Sequence, residues 1–234
     1  MRLRLPEERP TEPPTGYKIA HPVLSQDGTR AGFTGVSLGG ALPYEVVDEA
    51  RCVYGRRHRA PHRRCDCGFH CVHESTVAEA MLCTAEHRAA VLLEVSVLGA
   101  YIRFERGFRY ARQRVRRADV GPCGCGAVAA ALADAGWGRP GWRALTAACA
   151  GCVRGRTSLS LASFARLAGE GLRVRAAAGP VAGVEGPEGA TAGPGGAATG
   201  LGVAELVAEA ALLQARLDWF QSQLGQLHDR GTQG

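Results

Sequence analysis

The chain has 234 residues, with 28 basic against 22 acidic side chains, a formal net charge of +6, 46% apolar and only 6% aromatic residues, 32 glycines and 9 cysteines. No run of about 18 apolar residues occurs, which excludes a helical membrane span, and the glycines follow no collagen-like period. Only Lys18 among the cationic residues is lysine, and the wealth of Ala, Gly and Arg has the character of GC-rich codon usage, so the arginine surplus alone is weak evidence for function.

In chain order, residues 1–15 carry Pro6, Pro10, Pro13 and Pro14 among charges and read as a disordered arm. The opening MRLRLPEERPTEPP lacks the apolar core of a secretory leader, so the expected setting is cytoplasmic and reducing. YKIAHPVL and the stretch from Ala31 to Leu38 are short strands, bounded by the turn signals Asp27-Gly28 and Gly39-Gly40. LPYEVVDEARCVYG reads as a short helix with Val46, Val47 and Ala50 on one face. In AVLLEVSVLGAYIRFERGFRY, Leu93, Val95 and Val97 alternate with Glu94 and Ser96, the period-2 pattern of a half-buried strand. Gly99 and Gly107 interrupt it.

From Pro122 onward, CGCGAVAAALADAGWGRPGWRALTAACAGC reads as an alanine-rich helix and a Gly/Pro turn with cysteine pairs at both ends. TSLSLASFARLAGEGL follows as a helix capped by Thr157 or Ser158 and stopped by Gly169 or Gly171. Residues 176–200 are a low-complexity linker. Val203, Leu206, Ala210, Leu213, Leu217, Phe220, Leu224 and Leu227 then form a heptad seam about 36 Å long. A helix tethered behind a linker needs a partner, so 203–227 is expected to form a coiled coil with a second copy or another helix. Charge is segregated: residues 51–117 hold 14 basic and 6 acidic side chains, whereas 176–234 hold 2 and 6.

The expected fold class is therefore α+β. It comprises a small β-rich zinc module over 16–118, a helical zinc-stapled module over 119–175, and a C-terminal coiled-coil helix over 201–230.

Two cysteine groups carry the chemistry. Cys123-x-Cys125 and Cys149-x-x-Cys152 offer four thiolates to one tetrahedral Zn²⁺, with Gly124, Gly126 and Gly151 relieving the tight turns around them. The run RCVYGRRHRAPHRRCDCGFHC supplies Cys52, His58, Cys65 and Cys67 as a second quartet, with His62, His70 and Cys71 as substitutes. Both knuckles, CDCG and CGCG, end in glycine. Nearby arginines favour thiolates and hence metal binding. Cys83 has no partner in sequence and reads as an ordinary buried thiol.

The order A-R-C at 50–52, H-R-A-P at 58–61, C-x-C-G-F at 65–69 and E-R-G-F-R-x-x-x-x-R-V at 105–115 resembles an uncharacterised cysteine-bearing domain of actinobacteria and their phages. The resemblance covers about residues 17–117. It implies a compact β-rich unit and suggests that Cys52, His58, Cys65 and Cys67 belong together.

RFERGFRYARQRVRR interleaves Phe104, Phe108 and Tyr110 with arginines, a composition suited to phosphate contacts and base stacking. Arg103, Arg106, Arg109, Arg112 and Arg114 are the candidate nucleic-acid contacts. A solvated strand face, or one facing an acidic protein surface, is the competing reading. Gly35-Val36-Ser37-Leu38-Gly39 matches the nucleophile elbow, but Gly40 and Pro43 interrupt any following helix and no βα repeat surrounds it, so it reads as a hairpin turn.

The functional expectation is a non-enzymatic zinc-binding regulatory protein that contacts nucleic acid and dimerises through its C-terminal helix. A zinc-stabilised protein-interaction adaptor and a thiol-based redox or iron–sulfur sensor are the alternatives.

Overall fold

A computed structural model describes residues 12–36, 42–52 and 54–177. The greater part of the expected arm, Ser37, almost all of the 176–200 linker and the 203–227 seam lie outside the described residues.

The elements in order are β1 (Thr15–Ser25), β2 (Ala31–Gly35), β3 (Val47–Glu49), β4 (Phe69–Val72), α1 (Ser75–Leu82), a 3-10 turn (Ala85–His87), β5 (Val91–Phe104), β6 (Gly107–Val120), β7 (Ala131–Arg139), β8 (Trp142–Ala148), β9 (Ser158–Ser160), α2 (Leu161–Ala168) and β10 (Arg173–Ala176). All ten strands belong to one sheet. Pairing is antiparallel throughout except for β10, which runs parallel to β6.

Two long strands organise the sheet. β1 pairs with β5 through its first half and with β2 through its second, on opposite edges that overlap at Ala20; the edge shared with β5 goes on to Trp142–Ala144 of β8 at Val23–Ser25, and the edge shared with β2 meets Val72 of β4 at Tyr17. β6 carries β5 along one edge; β4, β3 and β10 follow one another along the other. The pairings β1–β5, β5–β6, β6–β4 and β4–β1 close a ring.

β5 forms with Leu93, Val95 and Val97 in the core, but it is not half-buried as expected: the other face is covered too, with Ser96 buried and Leu92 packed against Ile19, Ala78 and Ala90. Gly99 sits inside this strand with φ +69° at a register shift between Leu98 and Tyr101, so its missing Cβ permits a bulge where the pattern breaks. Gly107 closes the β5–β6 turn, where an added Cβ would run into the backbone carbonyl of Cys71.

A row of aromatic rings crosses the core. Phe164 of α2 meets Phe33 at 5.6 Å, Phe33 meets Tyr44 at 6.1 Å, Tyr44 meets Phe69 at 5.4 Å, and Phe69 meets Tyr110 at 5.8 Å. The few aromatics of this chain are thus concentrated where they join β2, β4, β6 and α2. Lys18 places its ammonium 4.7 Å from the Tyr44 ring centre and 5.1 Å from that of Phe69, and desolvation lowers its pKa to about 8.

The expected fold class is corrected here. The region 119–175 is not a helical module. The alanine-rich run becomes β7 and pairs with β8, and that hairpin extends the same sheet that holds residues 15–120. Alanine is the strongest helix former, but tertiary pairing overrides propensity, and Gly136, Gly138 and Gly141 leave too short a run to repay helix nucleation. β8, itself joined to the edge of β1, and β9 offer the run ladder hydrogen bonds instead. The helix expected from LPYEVVDEARCVYG is likewise replaced, by an isolated bridge at Tyr44 to Phe33 and by β3. α2 does form, but its N-cap is Ser160, whose Oγ accepts the Ser163 N–H at 3.1 Å, because Ser158 is taken into β9. Gly169 ends it at φ +134°.

Phe164 is 1% exposed and comes from the far side of the chain relative to Phe33, which is 0% exposed. Phe164→Ala is expected to cost about 3–5 kcal/mol in urea unfolding and to destabilise the β1–β6 region with it, in one cooperative transition. Two separate transitions, with only the later one shifted, would show two independent cores.

Candidate metal centres

The first centre grows from two neighbouring anchors on one strand edge. β3 runs from Val47 opposite Arg114 to Glu49 opposite Arg112, and the Ala50 N–H donates to the Ala111 carbonyl at 2.6 Å. β4 takes the next stretch, from Phe69 opposite Tyr110 to Val72 opposite Gly107. The loop between β3 and β4 therefore leaves and rejoins β6 at adjacent points. This brings Cys52 to the Cys65/Cys67 knuckle across 13 residues of chain, with Cys52 Sγ 3.8 Å from Cys65 Sγ. His58 Nε2 lies 3.1 Å from Cys67 Sγ. All four donor atoms fall within 4.8 Å of one another.

Arg109 holds this loop to the sheet. The residue, 7% exposed, donates from Nη1 to the Cys65 carbonyl at 2.6 Å and from Nη2 to the His62 carbonyl at 3.3 Å, with Asp66 Oδ1 at 3.4 Å from Nη1. A planar fork can satisfy two carbonyls of one turn at once. Gly68 makes room for it: its φ is +129°, and a Cβ there would meet Arg109 Cγ at 2.9 Å.

The second centre follows from the β7–β8 hairpin. Ala131 pairs with Ala148, so the segment entering β7 and the segment leaving β8 emerge at the same end. Cys123 and Cys125 lie on the first, Cys149 and Cys152 on the second. Gly126, at φ +88°, donates its N–H to the Cys123 carbonyl at 2.7 Å and closes the knuckle. Cys125 Sγ lies 3.6 Å from Cys149 Sγ, and the four sulfurs again lie within 4.8 Å of one another. Cys123 is buried, Cys149 half-buried, and Cys125 and Cys152 exposed.

Both donor sets fit a metal ion. Four sulfurs at about 2.3 Å from a tetrahedral centre stand roughly 3.8 Å apart, close to the two S–S separations found here. The protonation pattern points the same way. Backbone N–H groups of Cys125 and Cys149 lower the Cys123 pKa to about 6, whereas Cys152, hydrogen-bonded to the sulfurs of Cys125, Cys149 and Cys123, is pushed up to about 12. In the first centre burial lifts Cys67 to about 11; at Cys52 burial is outweighed by the N–H groups of Arg56 and Tyr54, and the pKa falls. Four clustered thiols cannot all ionise against one another without a cation between them.

The substitutes stand outside both groups. Cys71 is buried on β4, where desolvation lifts its pKa to about 11. His70 is exposed, and His62 stacks on His58 with ring centres 4.4 Å apart. Cys83 is exposed rather than buried, its Sγ 3.7 Å from the Glu79 carbonyl, because it caps the end of the short surface helix α1. Among the candidate arginines, Arg103, Arg106, Arg112 and Arg114 are exposed, whereas Arg109 is spent on the first metal loop. Strand register explains it: Arg112, Arg114 and Arg116 alternate with buried Gln113 and Val115, and Arg109 falls on a buried position between Phe108 and Tyr110. The structural role of Arg109 had no sequence signal beyond its odd position in that alternation.

Comparison with protein-family models, with curated proteins and with solved structures finds no match for this chain.

With two four-donor groups, the reduced protein is expected to bind two metal ions per chain by elemental analysis. The pair Cys52→Ser/Cys67→Ser and the pair Cys125→Ser/Cys149→Ser should each remove one. Arg109→Ala should weaken metal at the first centre about 10–100-fold, read by chelator competition, and leave the second unchanged. Arg109→Lys should not restore it, since one ammonium cannot replace the fork.

Proposed function

We propose that this chain is a non-enzymatic zinc-binding protein whose two metal centres stiffen a β-sheet scaffold, and that the scaffold contacts nucleic acid through its arginines. The observation that carries the metal part is the make-up of the two groups: thiols and one imidazole, four donors each, with no carboxylate among them. Soft donors in fours suit Zn²⁺, and a closed four-donor site leaves no coordination position for a substrate. Zinc there supplies rigidity. Cys52, His58, Cys65 and Cys67 would hold one ion, and Cys123, Cys125, Cys149 and Cys152 the other. A reducing, cytoplasmic setting, which keeps such thiols available to a metal, is part of this reading.

The nucleic-acid part draws on charge placement. The outer face of β6 presents Arg112, Arg114 and Arg116, and the β5–β6 turn presents Arg103 and Arg106. Arg51, Arg56, Arg57, Arg59, Arg63 and Arg64 are all exposed on the first metal loop. Metal at that loop would order its arginines relative to β6. Self-association through 203–227 completes the proposed regulatory protein.

A labelled oligonucleotide titrated with the metal-loaded full chain tests the reading. The slope of log K against log salt should be about −0.7 to −0.9 per phosphate neutralised. Arg112→Ala/Arg114→Ala should make that slope shallower by about one to two, with metal content unchanged. No binding at low salt would overturn the nucleic-acid reading and favour a protein-interaction adaptor.

A further inference from the structure

Phe104 is a large apolar side chain at the end of β5, 50% exposed at the β5–β6 turn. Its surroundings are polar and basic. The guanidinium of Arg109 lies 5.6 Å from the centre of the Phe104 ring, and that same guanidinium is bonded to the carbonyls of Cys65 and His62. Behind the ring, then, is a buried cation fixed by the metal loop.

The backbone at this point is also held. The Phe104 carbonyl lies 3.0 Å from His73 Nε2, and the His73 N–H donates to the Arg106 carbonyl at 3.0 Å. The His73 ring packs edge-on against Phe108 at 4.5 Å. The turn is thus tied on one side to the segment after β4 and on the other to the first metal loop. The backbone that presents this exposed ring is therefore already ordered before a ligand arrives.

Along the chain, basic residues outnumber the acidic one beside the ring, the exposed Glu105 that follows it. Arg106 is in the same turn and Arg103 precedes Phe104, both exposed. Arg63 and Arg64, exposed, follow directly on His62, whose carbonyl Arg109 binds. Arginines beside a presented aromatic face match a ligand that carries anionic charge and flat rings together.

We infer that this surface binds single-stranded nucleic acid, with the outward face of Phe104 stacking on an unpaired base and Arg63, Arg64 and Arg106 contacting phosphates. The inference rests on the nucleic-acid reading above and specifies the form of the ligand. In a duplex the base faces are covered by their neighbours, so a half-exposed ring has nothing to stack on. A single strand exposes those faces, and aromatic stacking is indifferent to base identity because every base has a π-face. Duplex readers commonly place a helix in the major groove, and both described helices are only eight residues long; a duplex would have to be met by the β5–β6 ribbon, so a duplex is included in the test. Arg109 is here a positioning residue; it touches the ring and the metal loop.

The test uses the metal-loaded full chain with fluorescein-labelled oligo(dT), oligo(U) and a mixed-sequence DNA duplex of equal length, read by anisotropy at several salt concentrations. The single strands are expected to bind at least tenfold tighter than the duplex. Phe104→Ala should weaken single-strand binding about 5- to 100-fold with no change in salt slope, because the lost contact carries no charge. Phe104→Leu keeps apolar bulk over Arg109 but lacks the π-face, and should behave like Phe104→Ala; Phe104→Trp should bind at least as tightly as the unaltered chain. Metal content, measured for each variant, reports whether the loop is intact. Equal affinity for single strand and duplex, or full binding by an intact Phe104→Leu variant, would overturn the inference while salt-dependent binding left the broader reading standing. No binding to any of the three would overturn both.

Discussion

Both edges of β6 are hydrogen-bonded to other strands. β5 runs along one edge; β4, β3 and β10 take successive stretches of the other. Buried peptide groups must find partners, and a strand bonded on both sides satisfies them without water. That strand also determines where the loops between its neighbours can go. Because β3 and β4 attach to adjoining parts of one edge, the intervening loop must fold back on itself, and its cysteines meet. The side chain of Arg109, on the same strand, then reaches out to the loop it created.

The two metal centres illustrate two ways for a sheet to assemble four donors. In the first, a long loop is closed by neighbouring anchors on one strand and pinned by a guanidinium. In the second, a hairpin brings its flanking segments to one end. Each uses a tight knuckle with a glycine at the third position after its first cysteine, yet the glycines work differently. Gly126 closes the turn by its left-handed backbone in open surroundings, whereas Gly68 also yields space to Arg109. A metal at either place would cross-link chain segments far apart in sequence, useful in a protein with few aromatic side chains to fill a core.

Burial divides the two centres as well. Cys65 and Cys67 are buried beside Ala60, with Ala50 and Cys52 packed against them, while two of the four thiols in the second group are exposed. The first centre is bound into the body through Arg109 and the Phe69–Tyr110 ring pair, so changes there reach the aromatic row and α2. The second depends mainly on the hairpin that presents it.

Much of this was legible in the amino-acid order. Cysteine spacing selected the same eight donors that the fold gathers into two groups, because close pairs such as C-x-C are already half a site before folding. Period-2 alternation located β5, although the structure covers its second face as well, at Leu92 and Ser96. The alanine-rich run reads as helix in sequence and is strand in the fold for a definite reason. Alanine carries almost no polar–apolar pattern, and the choice between helix and strand was made by long-range pairing: β8 joins the edge of β1, and β7 lies between β8 and β9. The same holds for Arg109: composition counted it among the surface cations, and only the register of β6 between β4 and β5 turned it inward. Local spacing, then, determined the donors and the strongest strand; long-range pairing decided which edge each segment joined, which arginine was buried, and that one sheet carries both centres, because hydrogen-bond partners distant in sequence leave no mark in the residues between them.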